Sequence, residues 1–294
     1  MNFKGGLLQT SIRQIEYLPC WQGQVSYRPL AGGLTNRNFL VEDGVNRYVV
    51  RLGGDMPVHH IMRFNEQAAS RAAASAGISP AVTYTEPGVL VMQYIDAAPY
   101  TPADVREHMD EAVAMVRRVH TEIPHHLRGP VLMFWVFQVI RDYAKVLIEG
   151  RYDADFEHLL HCAAALETAV GPVNLVFGHN DLLASNFLHD GKRLWLIDWD
   201  YAGFNTPLFD LGGLASNNGF SAEQETRMLE IYFDAPASPD LQHRYLAMKA
   251  ASLLRETMWS MVSESQSTLD FDYKTYSQTN LAQFTRAWTH FKQA

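Results

Sequence analysis

The sequence predicts an α+β fold of two lobes, with a small, mostly antiparallel β-sheet and one helix in the first lobe and a larger, mainly helical second lobe. Short runs of β-forming residues between turn signals fill the first part of the chain, and long segments with helical spacing of apolar residues fill most of the rest. The 294 residues, 47% of them apolar and 19% charged, are enough to bury a sizeable core.

The first lobe is assigned to residues 1–95. Five strands are expected, at 24–28, 38–41, 48–52, 81–85 and 89–94. A glycine-containing turn at 31–36 separates the first two strands, and the alanine-rich segment 62–76 has the apolar spacing of a helix. These elements form a small sheet with one helix.

The second lobe is assigned to residues 96–294, because segment 97–102 breaks the strand periodicity. Helical spacing then extends from about 103 to 149 and from 156 to 170. A β-rich island interrupts the helices, with strands expected at 173–177, 186–188 and 194–197. Loops at the crevice between the lobes are expected to carry the function.

The composition argues against several classes of protein. The net charge is −8 and no dense run of Lys and Arg occurs, which disfavours a nucleic-acid surface and leaves a cationic or neutral small molecule as the expected partner. Cys20 and Cys162 lack the spacing of a disulfide scaffold or a zinc site. The beginning of the chain lacks secretory-signal features, and the apolar stretch 131–137 is too short to span a bilayer. A cytoplasmic protein without a membrane span is expected, and its oligomeric state stays open.

The strongest motif is GHNDLLASN at 178–186, whose spacing His-x-Asp-x-x-x-x-Asn is typical of a phosphotransferase catalytic loop. In-line phosphoryl transfer needs a carboxylate to accept or orient the proton of the substrate hydroxyl, which Asp181 supplies in this interpretation. An amide oxygen to hold Mg²⁺ comes from Asn186, while His179 supports the loop. The alternative is that Asp181 and Asn186 cap a turn.

A second acidic motif follows the apolar strand 194–197. Asp198 stands at the end of this strand, where it can ligate Mg²⁺ together with Asn186 and nucleotide phosphates. Asp200 either assists or faces the substrate. The alternative is that Asp198 simply ends a strand.

Three features of the first lobe point to a nucleotide. Glycines let backbone N–H groups approach phosphates, which makes one short segment a candidate phosphate loop, although a plain hairpin turn is the alternative. The segment comprises Gly32, Gly33, Leu34, Thr35 and Asn36. Gln93 and Ile95, between the lobes, are expected to meet the base.

Arg51 and Glu66 form a candidate ion pair. Arg51 ends a strand and Glu66 follows on the helix, so that the pair would aim the guanidinium at the α/β-phosphates. The alternative is a surface salt bridge worth less than about 1 kcal/mol.

With these residues identified, the chain resembles the choline/ethanolamine kinase family, within the wider aminoglycoside phosphotransferase group and the protein-kinase-like fold. Segments 32–36, 178–186 and 197–203 resemble its nucleotide loop, catalytic loop and metal-binding segment. Trp259-Ser260 and the segment 271–276, FDYKTY, look like its Trp-Ser and Phe-x-Tyr-x-x-Tyr segment. The resemblance implies a kinase that uses ATP and Mg²⁺.

The resemblance also implies a trimethylammonium alcohol held by aromatic faces and carboxylates, with Tyr201, Trp259 and Tyr276 as candidate rings. Two positions depart from the family pattern. Asn217 stands where an acidic contact is expected, and Glu256 stands where a second tryptophan of the aromatic cage is expected. The alternative is that the rings belong to the core and that Glu256 is solvated.

The leading hypothesis is a choline-type kinase. Ethanolamine, thiamine or an aminoglycoside-like alcohol are alternative substrates, and the choice between ATP and GTP stays open. A nucleotide-binding regulator without turnover and a metal hydrolase are the alternatives from other classes; the first would be indicated by loss of Asp181, Asn186 or Asp198, all of which are present.

Overall fold

A computed structural model describes residues 11–30, 36–267 and 271–294. Its first part contains a five-stranded antiparallel sheet with the strand order β1-β2-β3-β5-β4. The strands are β1 Ser26–Leu30, β2 Arg37–Asp43, β3 Asn46–Leu52, β4 Val82–Glu86 and β5 Val89–Gln93. Helix α1, Arg63–Ser75, connects β3 to β4. The predicted sheet with one helix is thus confirmed.

Alternation of side chains along the strands gives this sheet one apolar face. Phe39 and Val41 of β2 lie on it beside Val50 of β3, and all three are buried. A helical segment at residues 11–16 covers this face with Ile15. The sheet therefore has its own small hydrophobic core.

Helix α1 packs away from that core. Its buried alanines, Ala69, Ala72 and Ala73, belong to the large hydrophobic cluster of the second lobe. Small side chains let a neighbouring helix approach closely, and the helix Met109–His126 packs against α1. The helix that carries Glu66 is consequently part of the second-lobe core.

The second lobe is built around one long buried helix. Its helices are α2 Pro102–Glu107, α3 Met109–His126, α4 Val136–Glu149, α5 Phe156–Val170, α6 Pro207–Asn218, α7 Ala222–Phe233, α8 Pro239–Gln266 and α9 Tyr273–Gln293. Helix α8 packs against α4, α5, α6 and α9 and is apolar on several sides. Among the helices of the described ranges, none has the combination of length and apolar character needed to cross a bilayer.

Short strands form the island that precedes α6. Their bounds are β6 Ala98–Pro99, β7 Val176–Gly178, β8 Phe187–His189, β9 Leu194–Leu196 and β10 Gly203–Asn205. The order β6-β8-β9 makes one small sheet, and β7 pairs with β10. The three predicted strands are present with shifted bounds, whereas β6 and β10 were not predicted.

The expectation of continuous helical spacing from 103 to 149 was wrong between 127 and 135. Gly129, with φ of 80°, and the following Pro130 break the helix. The chain then runs beside β10, where Phe134 N–H donates to the Phe204 carbonyl at 2.9 Å. Helices α3 and α4 are therefore separated by a loop that borders the site.

Candidate active site

The catalytic-loop motif lies between β7 and β8 and is fixed by one carboxylate. Asp210, in the first turn of α6, accepts hydrogen bonds from the backbone N–H groups of His179 at 2.8 Å and Asn180 at 2.7 Å. A Cβ at Gly178 would lie 3.0 Å from Asp210 Oδ2, so glycine permits this close approach. The loop is thereby held at the N-terminus of α6.

Asp210 is itself held by a buried histidine. His120 of α3 contacts Asp210 Oδ2 through Nε2 at 2.9 Å, and its Nδ1 contacts the Tyr232 hydroxyl at 2.7 Å. Burial would raise the pKa of Asp210, but the hydrogen bond and charge of His120 outweigh burial and hold this pKa below its ordinary value. Sequence reasoning missed both residues; an Asp in a helix's first turn is too common to stand out.

Two side chains of the loop bind it to the segment that follows β9. Asn180, in the left-handed region with φ of 63°, donates from Nδ2 to the Tyr201 carbonyl at 2.9 Å. His179 packs on Trp199 with ring centroids 4.7 Å apart, and its Nε2 lies 2.9 Å from the Ile197 carbonyl. Burial lowers the pKa of His179, and the contacts of its ring support the loop.

Asp181 is the half-buried carboxylate that projects from this rigid loop. Burial, and then the negative charge of Asp198, raise its pKa to about 8, although Arg255 opposes the shift. A carboxylate whose pKa lies near the working pH can take up a proton during a reaction. The geometry therefore supports Asp181 as a general base.

Asn186 and Asp198 form a donor set that fits Mg²⁺. Asn186 Nδ2 donates to the Asp181 carbonyl at 2.9 Å, which leaves Oδ1 as the end of the amide that can ligate a cation. Asp198 is held in the left-handed region with φ of 72°, a strained conformation for a residue with a side chain. No three His, Cys, Asp or Glu side chains within the described ranges form a metal cage, and Mg²⁺ bound with phosphates needs fewer protein ligands.

Five charged residues, here termed the charge cluster, lie beside this donor set: Arg51, Arg63, Glu66, Asp198 and Asp200. Arg51 Nη1 lies 2.7 Å from Glu66 Oε1 and 2.8 Å from Asp198 Oδ1. Arg63 Nη1 lies 2.7 Å from Glu66 Oε2 and 2.7 Å from Asp200 Oδ1. Arg51 is 7% exposed, so the alternative of a surface salt bridge is wrong.

Sequence reasoning missed Arg63, although its position three residues before Glu66 on α1 was a usable signal. Asp200, predicted near the substrate, belongs to the charge cluster and accepts a hydrogen bond from Asn36 Nδ2 at 3.0 Å. Burial, and then the Asp198 charge, raise the pKa of Asp200 to about 6. Asn36 thus meets the cluster, while the predicted phosphate-loop residues Gly32, Gly33, Leu34 and Thr35 lie outside the described residues.

The residues expected to meet a base lie where the chain passes from β5 to the second lobe. Gln93 N–H donates to the Ala81 carbonyl at 2.8 Å, and Tyr94 N–H donates to the Arg47 carbonyl at 2.9 Å. In the part of the chain that the structure describes, the N–H of Ile95 has no backbone partner. Contact of Gln93 and Ile95 with a base stays a prediction.

A pocket, termed here the Asp181 pocket, is lined in part by Asp181. Its polar lining residues are Asn180, Asp181, Asp210, Ser216, Asn217, Ser252, Arg255 and Glu256. The predicted substrate residues Asn217 and Glu256 are therefore brought together beside Asp181. Apolar side chains, Leu182, Phe209 and Leu253, complete the lining.

The three predicted rings lie close to this pocket but are engaged with the protein. Trp259 Nε1 donates to the Tyr201 hydroxyl at 2.8 Å, and both side chains are buried. The Tyr276 hydroxyl donates to Glu256 Oε1 at 2.8 Å, so Glu256 is bonded within the site. Sequence reasoning missed Arg255, whose guanidinium carbon lies 4.3 Å from the Tyr201 ring centroid.

Comparisons with known proteins agree with this geometry. The sequence model described as the phosphotransferase enzyme family matches residues 26–246. Ethanolamine kinase 2 of Mus musculus is 24% identical over 312 residues, which cover 95% of this chain and 80% of that protein.

Solved structures give the same result. A choline/ethanolamine kinase family protein from Mesorhizobium loti has a TM-score of 0.76 at 28% identity, covering 98% of this chain and 100% of that chain. The structure of LicA in complex with AMP has a TM-score of 0.76 at 21% identity, covering 97% of this chain and 98% of that chain. The two proteins therefore share a fold. The predicted protein-kinase-like two-lobe fold, the resemblance to choline/ethanolamine kinases and the prediction of a small-molecule kinase are confirmed. This chain belongs to the phosphotransferase enzyme family.

Proposed function

We propose that this protein transfers the γ-phosphoryl group of ATP to the hydroxyl of a small amino alcohol, with Mg²⁺. One observation carries the proposal: Asp181 faces the pocket that contains Asn217 and Glu256, while its neighbour Asp198 and the amide of Asn186 supply a magnesium-type donor set. This arrangement supports the proposal of a base between a site for an alcohol and a site for a metal-bound phosphate.

The reaction follows from these positions. The substrate oxygen forms a bond to the γ-phosphorus, the bond from that phosphorus to the ADP oxygen breaks, and the hydroxyl proton passes to Asp181. Asn186 and Asp198 would hold Mg²⁺, which when bound neutralises charge on the phosphates. Arg51, positioned by Glu66 and Asp198, adds a fixed positive charge on the same side.

The pocket lining supports a choice of substrate. Choline is the first candidate from the sequence, but a trimethylammonium group needs aromatic faces because it cannot donate hydrogen bonds. The wall instead offers acceptors on Ser216, Asn217 and Glu256, which suit an ammonium group with N–H donors. We therefore place ethanolamine-type alcohols ahead of choline; thiamine and aminoglycoside-like alcohols are further candidates.

The nucleotide is proposed to be ATP. The presence of AMP in the LicA structure of the same fold supports an adenine nucleotide. Gln93 and Ile95 are proposed to meet the base, and Asn36, with the phosphate-loop residues that precede it, is proposed to meet the phosphates.

The test measures Mg²⁺-dependent ADP release with ethanolamine, choline, thiamine and an aminoglycoside. Asp181→Asn is expected to lower kcat by about 10²- to 10⁴-fold because the base is lost, while ATP binding is retained. Asp234→Asn is a matched control, since Asp234 is exposed and its left-handed backbone suits Asn. Absence of turnover with every alcohol would overturn the proposal.

A further inference from the structure

We propose that Arg255 determines substrate specificity by acting as a resident cation on the aromatic face of Tyr201, so that the pocket selects ammonium groups that retain N–H donors. The inference rests on the proposed function, because it concerns the ammonium group of the same alcohol. None of the sequence motifs pointed to Arg255 as a functional residue.

Arg255 lies between two rings and one carboxylate. Its guanidinium carbon is 4.3 Å from the Tyr201 ring centroid and 5.4 Å from that of Phe134. Its Nη1 lies 3.1 Å from Glu256 Oε2. These positions are those that a bound organic cation takes in an aromatic site with an acidic rim. The protein supplies that cation itself.

Burial holds Arg255 in this position beside Tyr201 and Glu256 in the ligand-free protein. Arg255 is 4% exposed, and its Nε and Nη2 have no hydrogen-bond partner among the described residues. The Tyr143 hydroxyl lies close enough to Arg255 to interact with its charge. A guanidinium does not lose its charge in proteins, so the aromatic faces, Glu256 and Asp181 supply its compensation.

A second cation therefore finds this face of Tyr201 occupied and charged. The guanidinium lies over that side of the ring, and two positive charges in a region of low dielectric constant repel each other. A trimethylammonium group loses the contact that would offset its desolvation. Choline is thus disfavoured by occupancy as well as by charge.

An ammonium group with N–H donors has other contacts in the same pocket. Glu256 accepts one hydrogen bond from Arg255 and one from Tyr276, and each carboxylate oxygen keeps further acceptor capacity. Ser216 Oγ is buried and has no partner within the described ranges, and Asn217 donates to the Leu182 carbonyl at 3.4 Å, which leaves its oxygen as an acceptor. Directional hydrogen bonds replace the aromatic contact.

A methylation series tests this mechanism. Wild-type protein is assayed with ethanolamine, N-methylethanolamine, N,N-dimethylethanolamine and choline. We expect kcat/KM to fall along the series and most steeply, by about tenfold or more, at the last methylation, because the last N–H donor is then lost. The change is expected mainly in KM, since Arg255 does not touch the transferred group.

Arg255→Met removes the charge and keeps an unbranched side chain. The ratio of kcat/KM for choline to that for ethanolamine is expected to rise by about tenfold or more in this variant. Arg255→Lys, which keeps a cation beside the ring, is expected to retain the wild-type preference. Arg244→Met is the control on the same helix, because Arg244 binds the Val170 carbonyl, away from the pocket.

Calorimetric titration with tetramethylammonium gives a readout without turnover. Arg255→Met is expected to bind this ion more tightly than the wild type, and circular dichroism establishes that each variant is folded. A wild-type preference for choline, or a folded Arg255→Met protein with an unchanged ratio and unchanged tetramethylammonium binding, would overturn the inference while the kinase proposal stands. If no alcohol is turned over, the proposed function fails and the titration alone decides the role of Arg255.

Discussion

Asp181 combines a chemical role with an unfavourable environment. Its pKa is about 8 in the folded protein against an ordinary value of 3.8, because burial and the Asp198 charge disfavour the ionised form. A folded-state pKa above the unfolded value means that the unfolded chain releases this proton first as pH rises. The contribution of Asp181 to stability is therefore greatest below about pH 4 and declines up to about pH 8.

This pH dependence of stability gives a prediction for Asp181→Asn. Removing the charge is expected to raise the Tm of the ligand-free protein at pH 8, and the gain is expected to shrink towards pH 4, where Asp181 is protonated in the folded wild type. Thermal unfolding followed by circular dichroism between these pH values measures the difference. A variant that is less stable than the wild type at pH 8 contradicts the assignment of the raised pKa.

At the scale of the element, α6 positions the catalytic loop through Asp210. Asp210→Asn leaves one oxygen for two backbone N–H donors and also alters the contact with His120. We expect a loss of about 1–3 kcal/mol of stability from the unpaired buried group and a fall in kcat of up to about 10²-fold from the displaced loop. Tm and single-turnover rates measure both effects.

Asp240→Asn is the matched control for this change. Asp240 also lies in the first turn of a helix, α8, but its side chain is 82% exposed. We expect a change of less than about 0.5 kcal/mol there. Equal losses of stability in Asp210→Asn and Asp240→Asn would contradict this account. They would mean that a general effect of charge at helix N-termini, and not the hydrogen bonds from the loop to Asp210, stabilises the protein.

The parts of the site that could be predicted are those contained in contiguous segments. The loop 178–186 and the acidic segment after it were identifiable because their chemistry fixes residue types at short spacings. The contact between His120 and Asp210 joins residues that are 90 positions apart in the sequence, so no local sequence pattern predicts it. The role of Arg255 could not be predicted for another reason. An arginine on a buried helix carries no local sequence signal that shows which aromatic ring it contacts.

The secondary-structure elements also divide into those that local sequence patterns predict and those that depend on tertiary contacts. Strands and helices with strong periodicity were predicted with bounds that differ by a few residues, because alternation and helical spacing are local signals. The loop at 127–135 was missed since apolar residues on both sides continue a helical spacing across it. Only its tertiary contact with Phe204 of β10 explains why Phe134 is buried although the chain there is not helical.

At the scale of the whole molecule, the charge cluster connects the sheet, α1 and the second lobe. Arg51 comes from β3, Glu66 from α1, and Asp198 and Asp200 from the segment after β9. Arg51→Met would leave the buried carboxylates of Glu66 and Asp200 and the partly buried Asp198 with Arg63 as the remaining cation of the cluster. Breaking such a buried network is expected to cost about 3–5 kcal/mol.

Mg²⁺ distinguishes this electrostatic effect from a loss of packing. Because the ion would bring positive charge to Asp198, we expect it to raise the Tm of Arg51→Met by more than it raises the Tm of the wild type. Differential scanning fluorimetry with Mg²⁺, and with Ca²⁺ and Na⁺ for comparison, measures the two shifts. Equal shifts in both proteins would indicate that the loss does not arise from uncompensated carboxylates.

The packing of α1 has a consequence for how this enzyme could be recombined with its relatives. The helix is contiguous in sequence with the sheet, yet Ala69, Ala72 and Ala73 complete the core around α3. A chimera that exchanges the sheet and α1 together would transplant a foreign surface into that core. Grafts that leave residues 57–79 with the recipient, and exchange only the strands on either side, are the ones that should fold. The part of the first lobe that can be exchanged as a unit is therefore discontinuous in the sequence.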